Sequence, residues 1–173
     1  CVITSMGFSV RAQDMIINEQ VQLMFAHMDY NGFAPGVTAY LPVFVEGALF
    51  HLGDGHAWQA DGEILGTGIE TSMDVVFSVT LHKGRELASL RIETESDIIS
   101  IGSQPEFSSS LNRGLQIATS DMVIWLASDY GWEDWAAHML VGMVGTYDVV
   151  TVAGSVALRI PKSNLGSRTT ATV

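Results

Sequence analysis

The first part of the chain alternates between apolar and polar positions with the period of β-strands. The clearest run covers residues 71–82, where every second side chain is apolar and falls on one face: Met73, Val75, Phe77, Val79 and Leu81. Other apolar segments are separated by glycine and proline turn signals, so we expect further strands. They cover residues 2–10, 21–28, 38–45, 48–52, 64–69, 88–93 and 97–101.

The period changes to that of a helix after residue 108. An apolar stripe predicts a first helix that begins near the serines at 108–110 and ends at Gly131; its members are Leu111, Leu115, Ala118, Met122 and Trp125. A second helix is predicted over residues 133–144, followed by a hairpin over 149–152 and 156–160. The pattern therefore predicts one α+β domain over residues 1–173, with a β-rich sandwich or barrel-like body and two consecutive helices near its C-terminal end.

Charge and hydropathy limit the classes of function. The chain carries 19 acidic against 8 basic residues, a net charge of −11, which disfavours binding to nucleic acid or to an anionic membrane. Mean hydropathy is nevertheless +0.27, and no apolar run is long enough to span a bilayer. We expect the surplus apolar surface to contact another polypeptide. Cys1 is the lone cysteine and has no partner for an internal disulfide, which favours a cytoplasmic protein.

The chemistry concentrates in a glycine-rich run, GDGHAWQADGE, between predicted strands. Its carboxylates and imidazole can transfer protons or bind metals, and its glycines allow tight turns and close approach to a ligand. A polar run between buried strands indicates a site more than a solvated turn. We assign catalytic roles to Asp54, His56 and Glu63, and ligand contacts to the backbone of Gly53 and Gly55.

This run resembles the acetamidase/formamidase family, whose members carry a stretch close to GDGHAAQGDGE followed by GTAIE; here residues 66–70 read GTGIE. Further matches follow in the family's order: HMD at 27–29, PGVTAYLPV at 35–43, RIET at 91–94 and ALRIPKS at 157–163. The resemblance covers only the C-terminal portion of family members. It implies a hydrolase of small amides. We assign substrate contacts to Glu70, which falls on the matched GTGIE, and to His27, which stands where the family usually has Asn.

Two departures from the family pattern bear on the substrate. Trp58 stands where the family often has a small residue, so we expect it to contact the substrate and to reshape the pocket away from formamide and acetamide. Residues 145–148 read GTYD where the family often has GDLR. An acid thus replaces the arginine, and any role of that arginine is absent here.

The first mechanism that we consider uses Cys1 and no cofactor. A free N-terminal cysteine holds a thiol beside its own α-amine, which can accept the thiol proton near neutral pH. The thiolate would attack the amide carbonyl, and water assisted by His56 or Glu63 would then release the acid. Such a cysteine would arise by cleavage of a precursor, whose N-terminal chain would stay bound as a partner in a larger oligomer.

Two alternatives remain open from the sequence. Asp29, Asp54 and His56 offer a mixed carboxylate and imidazole set for zinc or a similar divalent ion, with Glu63 moving the proton of an activated water. Alternatively, the fold serves as a non-catalytic subunit for ligand binding or assembly, because a fold alone does not define an activity.

Overall fold

The computed structural model describes residues 2–4, 10–11, 30–44, 46–50, 52–103 and 110–169. The strands within these ranges are β1 (Val2–Thr4), β2 (Val10–Arg11), β3 (Thr38–Pro42), β4 (His56–Trp58), β5 (Ile69–Glu70), β6 (Asp74–Val75), β7 (Thr80–His82), β8 (Leu90–Glu93), β9 (Asp97–Gly102), β10 (Thr146–Thr151) and β11 (Ser155–Pro161). The helices are α1 (Leu111–Tyr130) and α2 (Asp134–Val144), and short 3₁₀ turns occupy Asp61–Glu63 and Lys162–Asn164. The predicted α+β class with two consecutive helices is confirmed.

Most of the strands form one antiparallel sheet of seven, in the order β10-β11-β9-β8-β3-β1-β7. Side chains alternate across it, so the sheet has an apolar layer on each face. One layer packs beneath the two helices and contains Ile98, Leu158 and Ile160 of the sheet with Met122, Trp125 and Leu126 of α1. The other contains Ile92, Ile99, Ile101, Val150 and Ala157, and the segment around Tyr30 and Val37 covers it.

The helices begin and end where the sequence predicts. The Ser110 hydroxyl accepts a hydrogen bond from the backbone N–H of Arg113 at 3.2 Å, which caps the start of α1. Gly131 ends α1 with a left-handed φ of +70°, a conformation that glycine adopts without steric cost. The second helix starts after Glu133 and stops before Gly145.

Three of the predicted strands are wrong in extent. Residues 71–82 form two short strands, β6 and β7, rather than one, and Val76, Phe77 and Val79 between them are exposed. Residues 64–68 form a turn, with Gly66 at a φ of +73°, and only Ile69 and Glu70 extend. Residues 48–50 and 52 form no strand. Alternation of apolar residues indicates which side chains tend to be buried. A strand also needs a second strand to pair with, and the pattern does not show whether one is near.

No helix among the described residues is long and apolar enough to cross a lipid bilayer.

The contact between β9 and α1 depends on two glycines. A Cβ atom added at Gly102 would lie 1.8 Å from the carbonyl oxygen of Gly114, and backbone atoms cannot rotate away. We expect Gly102→Ala to lower the free energy of unfolding by about 3 kcal/mol, the upper end for overpacking, as measured by urea denaturation. Gly142→Ala is the control, because nothing lies within 4 Å of its Cβ position in α2, and it should raise stability by about 0.5–1 kcal/mol. Similar effects of both substitutions would contradict the close contact.

Candidate active site

A pair of short strands places the imidazole beside a carboxylate that is distant in sequence. Strand β4 pairs with β5 in antiparallel register, so that His56 lies opposite Glu70 and Trp58 lies opposite Ile69. The backbone N–H of Thr71 donates to the carbonyl oxygen of Gly55 at 2.8 Å, which extends the pairing by one residue. The glycine-rich run is therefore one side of a hairpin, and Glu70 returns on the other.

We call Asp54, His56 and Glu70 the His56 cluster. The Nε2 atom of His56 lies 3.0 Å from Oε1 of Glu70 and 3.4 Å from Oδ1 of Asp54. The His56 side chain is only 8% exposed, whereas those of Asp54 and Glu70 are 62% and 54% exposed. The cluster thus consists of a buried imidazole side chain and two carboxylates that are exposed to solvent.

The imidazole is close to these carboxylates without a well-aligned hydrogen bond to either. Despite the 3.0 Å separation from Glu70, Nε2 makes no bond of ordinary hydrogen-bond geometry with any described residue. The contact between the imidazole and the two carboxylates is therefore electrostatic rather than an aligned hydrogen bond.

The other ring nitrogen and the ring face are held by neighbours that the sequence did not identify. The Nδ1 atom lies 2.7 Å from the side-chain oxygen of Gln59. The ring covers Gly68, where an added Cβ would come within 2.5 Å of the His56 Cγ and Nδ1 atoms. The Thr67 hydroxyl donates to Oε1 of Glu70 at 2.8 Å.

These contacts shift two pKa values in opposite directions. The pKa of His56 is raised, first because Nδ1 bonds to Gln59, and further because of the charges of Glu70, Asp54 and Glu63, which outweigh the opposing effect of burial. The pKa of Glu70 is lowered, first by the hydrogen bond from Thr67 and then by the charge of His56. The arrangement therefore favours an imidazolium between carboxylates, or a metal ion in the place of the proton.

Backbone strain also marks this hairpin. Among the described residues, Asp54 and Glu63 are the non-glycine residues with positive φ, at 63° and 43°. Such conformations cost on the order of 1 kcal/mol or more each, and they cluster at functional sites. Two backbone hydrogen bonds stabilise this conformation at Glu63. Gly66 N–H donates to the Glu63 carbonyl at 2.8 Å, and Val152 N–H donates to the Gly62 carbonyl at 2.8 Å.

Some of the predicted site residues lie close together in the structure, and others lie outside the described residues. His56, Asp54 and Glu70 meet directly, and Glu63 is near enough to raise the pKa of His56. Trp58 is 74% exposed beside them, Gly53 is exposed, and Gly55 is half-buried. Of the proposed metal set, Asp54 and His56 lie together, and Glu70 completes a group of three. Cys1, His27 and Asp29 lie outside the described residues.

An imidazole beside two carboxylates on a short hairpin has the groups that hydrolases use for proton transfer or for metal binding. Residues 23–148 match the sequence model of the Acetamidase/Formamidase family. The chain belongs to this family.

Solved structures of similar proteins agree with the assignment. An acetamidase from Yersinia enterocolitica shares 30% identity with a TM-score of 0.76, covering 95% of this chain and 50% of its own. A predicted acetamidase/formamidase from Thermoanaerobacter tengcongensis shares 26% identity with a TM-score of 0.71, covering 92% and 54%. An acetamidase from Bacillus halodurans shares 26% with a TM-score of 0.72, covering 92% and 55%. The chain thus spans about half the length of these structures. A comparison with curated protein sequences gives no match.

Proposed function

We propose that this chain carries the catalytic site of an amide hydrolase and that the His56 cluster performs the chemistry. The observation that supports this most is the buried imidazole, whose Nε2 faces Glu70 and Asp54 without an aligned hydrogen bond. A structural histidine of that burial would ordinarily satisfy both nitrogens. Membership of the Acetamidase/Formamidase family makes a small amide the expected substrate.

The residues of the hairpin suit the steps of amide hydrolysis. His56 takes a proton from the attacking nucleophile and returns it to the leaving nitrogen, while Asp54 and Glu70 stabilise its charged form. Glu63 assists the second proton transfer, as its proximity to His56 allows. Backbone N–H groups near Gly53 and Gly55 would donate to the developing oxyanion, an interaction that often contributes most to catalysis.

A divalent metal is the second candidate for activating the nucleophile. One ligand atom from each of Asp54, His56 and Glu70 lies within 4.8 Å of the other two, and one nitrogen with two carboxylate oxygens suits zinc. When bound, such an ion would lower the pKa of a coordinated water towards neutrality. The set differs from the one that the sequence predicts by Glu70 in place of Asp29, which lies outside the described residues.

The metal proposal predicts zinc binding that depends on this cluster. Isothermal titration calorimetry of the metal-free protein with zinc should show one binding site. Glu70→Gln should weaken it by at least the 10–100-fold that loss of a supporting contact costs, because the substitution removes a charged ligand. Glu46→Gln is a matched control, since Glu46 is exposed and outside the cluster. Equal zinc affinity in the wild type and Glu70→Gln would contradict the proposal.

The thiol mechanism stays a separate prediction, because Cys1 is outside the described residues. Alkylation with iodoacetamide distinguishes it from the metal route. Full activity after complete alkylation of Cys1 excludes the thiol as nucleophile, and loss of activity that a chelator does not reproduce supports it. The associated prediction, a bound N-terminal chain from a common precursor with further oligomerisation, also stays open.

The function itself is tested by ammonia release from a panel of amides. Formamide, acetamide, propionamide and benzamide span the range from the smallest substrates to one that would stack on Trp58, which lies opposite Ile69 at the cluster. We expect hydrolysis of at least one member, with the larger amides preferred. Binding of an amide without any turnover would instead favour the non-catalytic subunit.

A further inference from the structure

Gln59 follows β4 directly and points its amide back onto His56. Its side-chain oxygen lies 2.7 Å from Nδ1. A carbonyl oxygen only accepts hydrogen bonds, so Nδ1 is the nitrogen that carries the hydrogen. Since a neutral imidazole has a single N–H, the lone pair of neutral His56 is then at Nε2.

The opposite side of the ring agrees with this assignment. An Nε2–H group would need an aligned acceptor in a buried position, yet Nε2 has no aligned partner among the described residues, although Glu70 Oε1 is 3.0 Å away. In the Nδ1–H tautomer the Nε2 lone pair lies on the side of Glu70 and Asp54, where it can accept a proton or bind a cation.

Packing restricts the ring to this orientation. The imidazole covers Gly68, and a Cβ at that position would fall 2.5 Å from Cγ and Nδ1 of His56. The absence of a side chain at Gly68 leaves the room that the imidazole ring occupies. A flip of the ring would place a carbon atom against the Gln59 oxygen and would break its bond to Nδ1.

We propose that Gln59 is a positioning residue that holds His56 in the Nδ1–H tautomer and thereby keeps the Nε2 lone pair on the carboxylate side, towards the reacting groups. The kinetic consequences of this proposal rest on the proposed function. The tautomer itself does not, because it follows from the contacts of the folded protein.

Nitrogen NMR of the metal-free protein tests the tautomer. With ¹⁵N-labelled histidine, at a pH where the imidazole is neutral, we expect the His56 signals to show hydrogen on Nδ1 in the wild type. Gln59→Glu retains an acceptor and should give the same pattern, whereas Gln59→Met keeps the length but not the acceptor and should shift hydrogen to Nε2. Gln116→Met, an exposed position on α1, should change nothing. Hydrogen on Nε2 in the wild type would overturn the proposal.

Kinetics provide the second readout. Loss of a residue that orients a functional histidine typically lowers activity 10–100-fold. Gln59→Met should therefore lower kcat by about that factor, with KM affected much less. Gln59→Glu should retain most of the rate. An unchanged kcat in Gln59→Met with an unchanged tautomer also rejects the positioning role. If the wild type shows the Nδ1–H tautomer but hydrolyses no amide, the proposed function fails while the assignment of Gln59 stands.

Discussion

Replacement of His56 by Gln should lower kcat/KM for amide hydrolysis by about 10²–10⁴-fold, the usual contribution of a positioned acid–base group. Glutamine is close in size to histidine and can still form hydrogen bonds, but it cannot take up a proton at neutral pH. The loss should appear in kcat, because the imidazole acts on the reacting groups rather than on substrate affinity. Ammonia release measured over a range of amide concentrations gives both kcat and kcat/KM.

The matched control is His138→Gln. His138 is exposed on α2, and among the described residues no contact joins it to the His56 cluster. Its replacement should leave both kcat and thermal stability unchanged. If His56→Gln retained the wild-type rate while folding normally, the cluster would not be the catalytic site, and the non-catalytic role of the fold would become the better account.

The elements that the sequence predicts well are those whose local signals agree with one another. Helix α1 has a stripe at helical spacing, a serine cap and a terminal glycine, and all three signals agree. The pair β8 and β9 is joined by a short turn and has buried residues at Ile92 and Ile99 in direct register. Partner choice across the sheet was not predictable, because β11 pairs with β9 across the two intervening helices.

The candidate site was predictable only in part, for a similar reason. Asp54 and His56 are two residues apart, which keeps them near each other, although Asp54 precedes β4 and has a positive φ of 63° rather than strand geometry. Glu70 matched a family motif, but its position opposite His56 depends on the pairing of β4 with β5. Gln59 and Thr67 lie within the matched motifs, but their contacts with His56 and Glu70 depend on the fold, and a glutamine or threonine becomes informative only when its partner is known.

Some residues of the family motifs hold the fold together and are not part of the His56 cluster. Glu93, within the RIET match, accepts a hydrogen bond from Tyr40 at 2.9 Å and forms ion pairs with Lys162 and Arg168. Lys162 belongs to the ALRIPKS match, so two separate motifs meet here. Asp148, in the segment that departs from the family, accepts from the Tyr30 hydroxyl at 2.7 Å and pairs with Arg159. The acid at this position thus has a structural partner in this chain.

The clearest framework group is the buried pair of Arg91 and Asp121, which joins β8 to α1. Two hydrogen bonds connect them, Nε to Oδ2 at 2.9 Å and Nη2 to Oδ1 at 3.0 Å. Ser100 donates to the same carboxylate at 2.8 Å, and the guanidinium lies over the Trp125 ring, 4.9 Å from its centroid. Both side chains are at most 5% exposed, so neither charge has water as a substitute partner.

Asp121→Ala should therefore destabilise the fold by about 3–5 kcal/mol, because it leaves the Arg91 charge buried without its counter-ion. Urea denaturation followed by tryptophan fluorescence measures the change. Asp134→Ala, an exposed acid in the first turn of α2, is the control and should cost about 0.5 kcal/mol or less.

The double variant Arg91→Met with Asp121→Leu separates pairing from packing. If the cost of Asp121→Ala comes from an unpaired buried charge, removing both charges should recover most of the lost stability, because the penalty for keeping ions out of water disappears with them. A double variant as unstable as Asp121→Ala would show that the hydrogen-bond geometry of the pair, including its contact with Ser100, is what joins the helix to the sheet. A loss below about 1 kcal/mol in Asp121→Ala would mean that water reaches the guanidinium, contrary to the burial of both side chains.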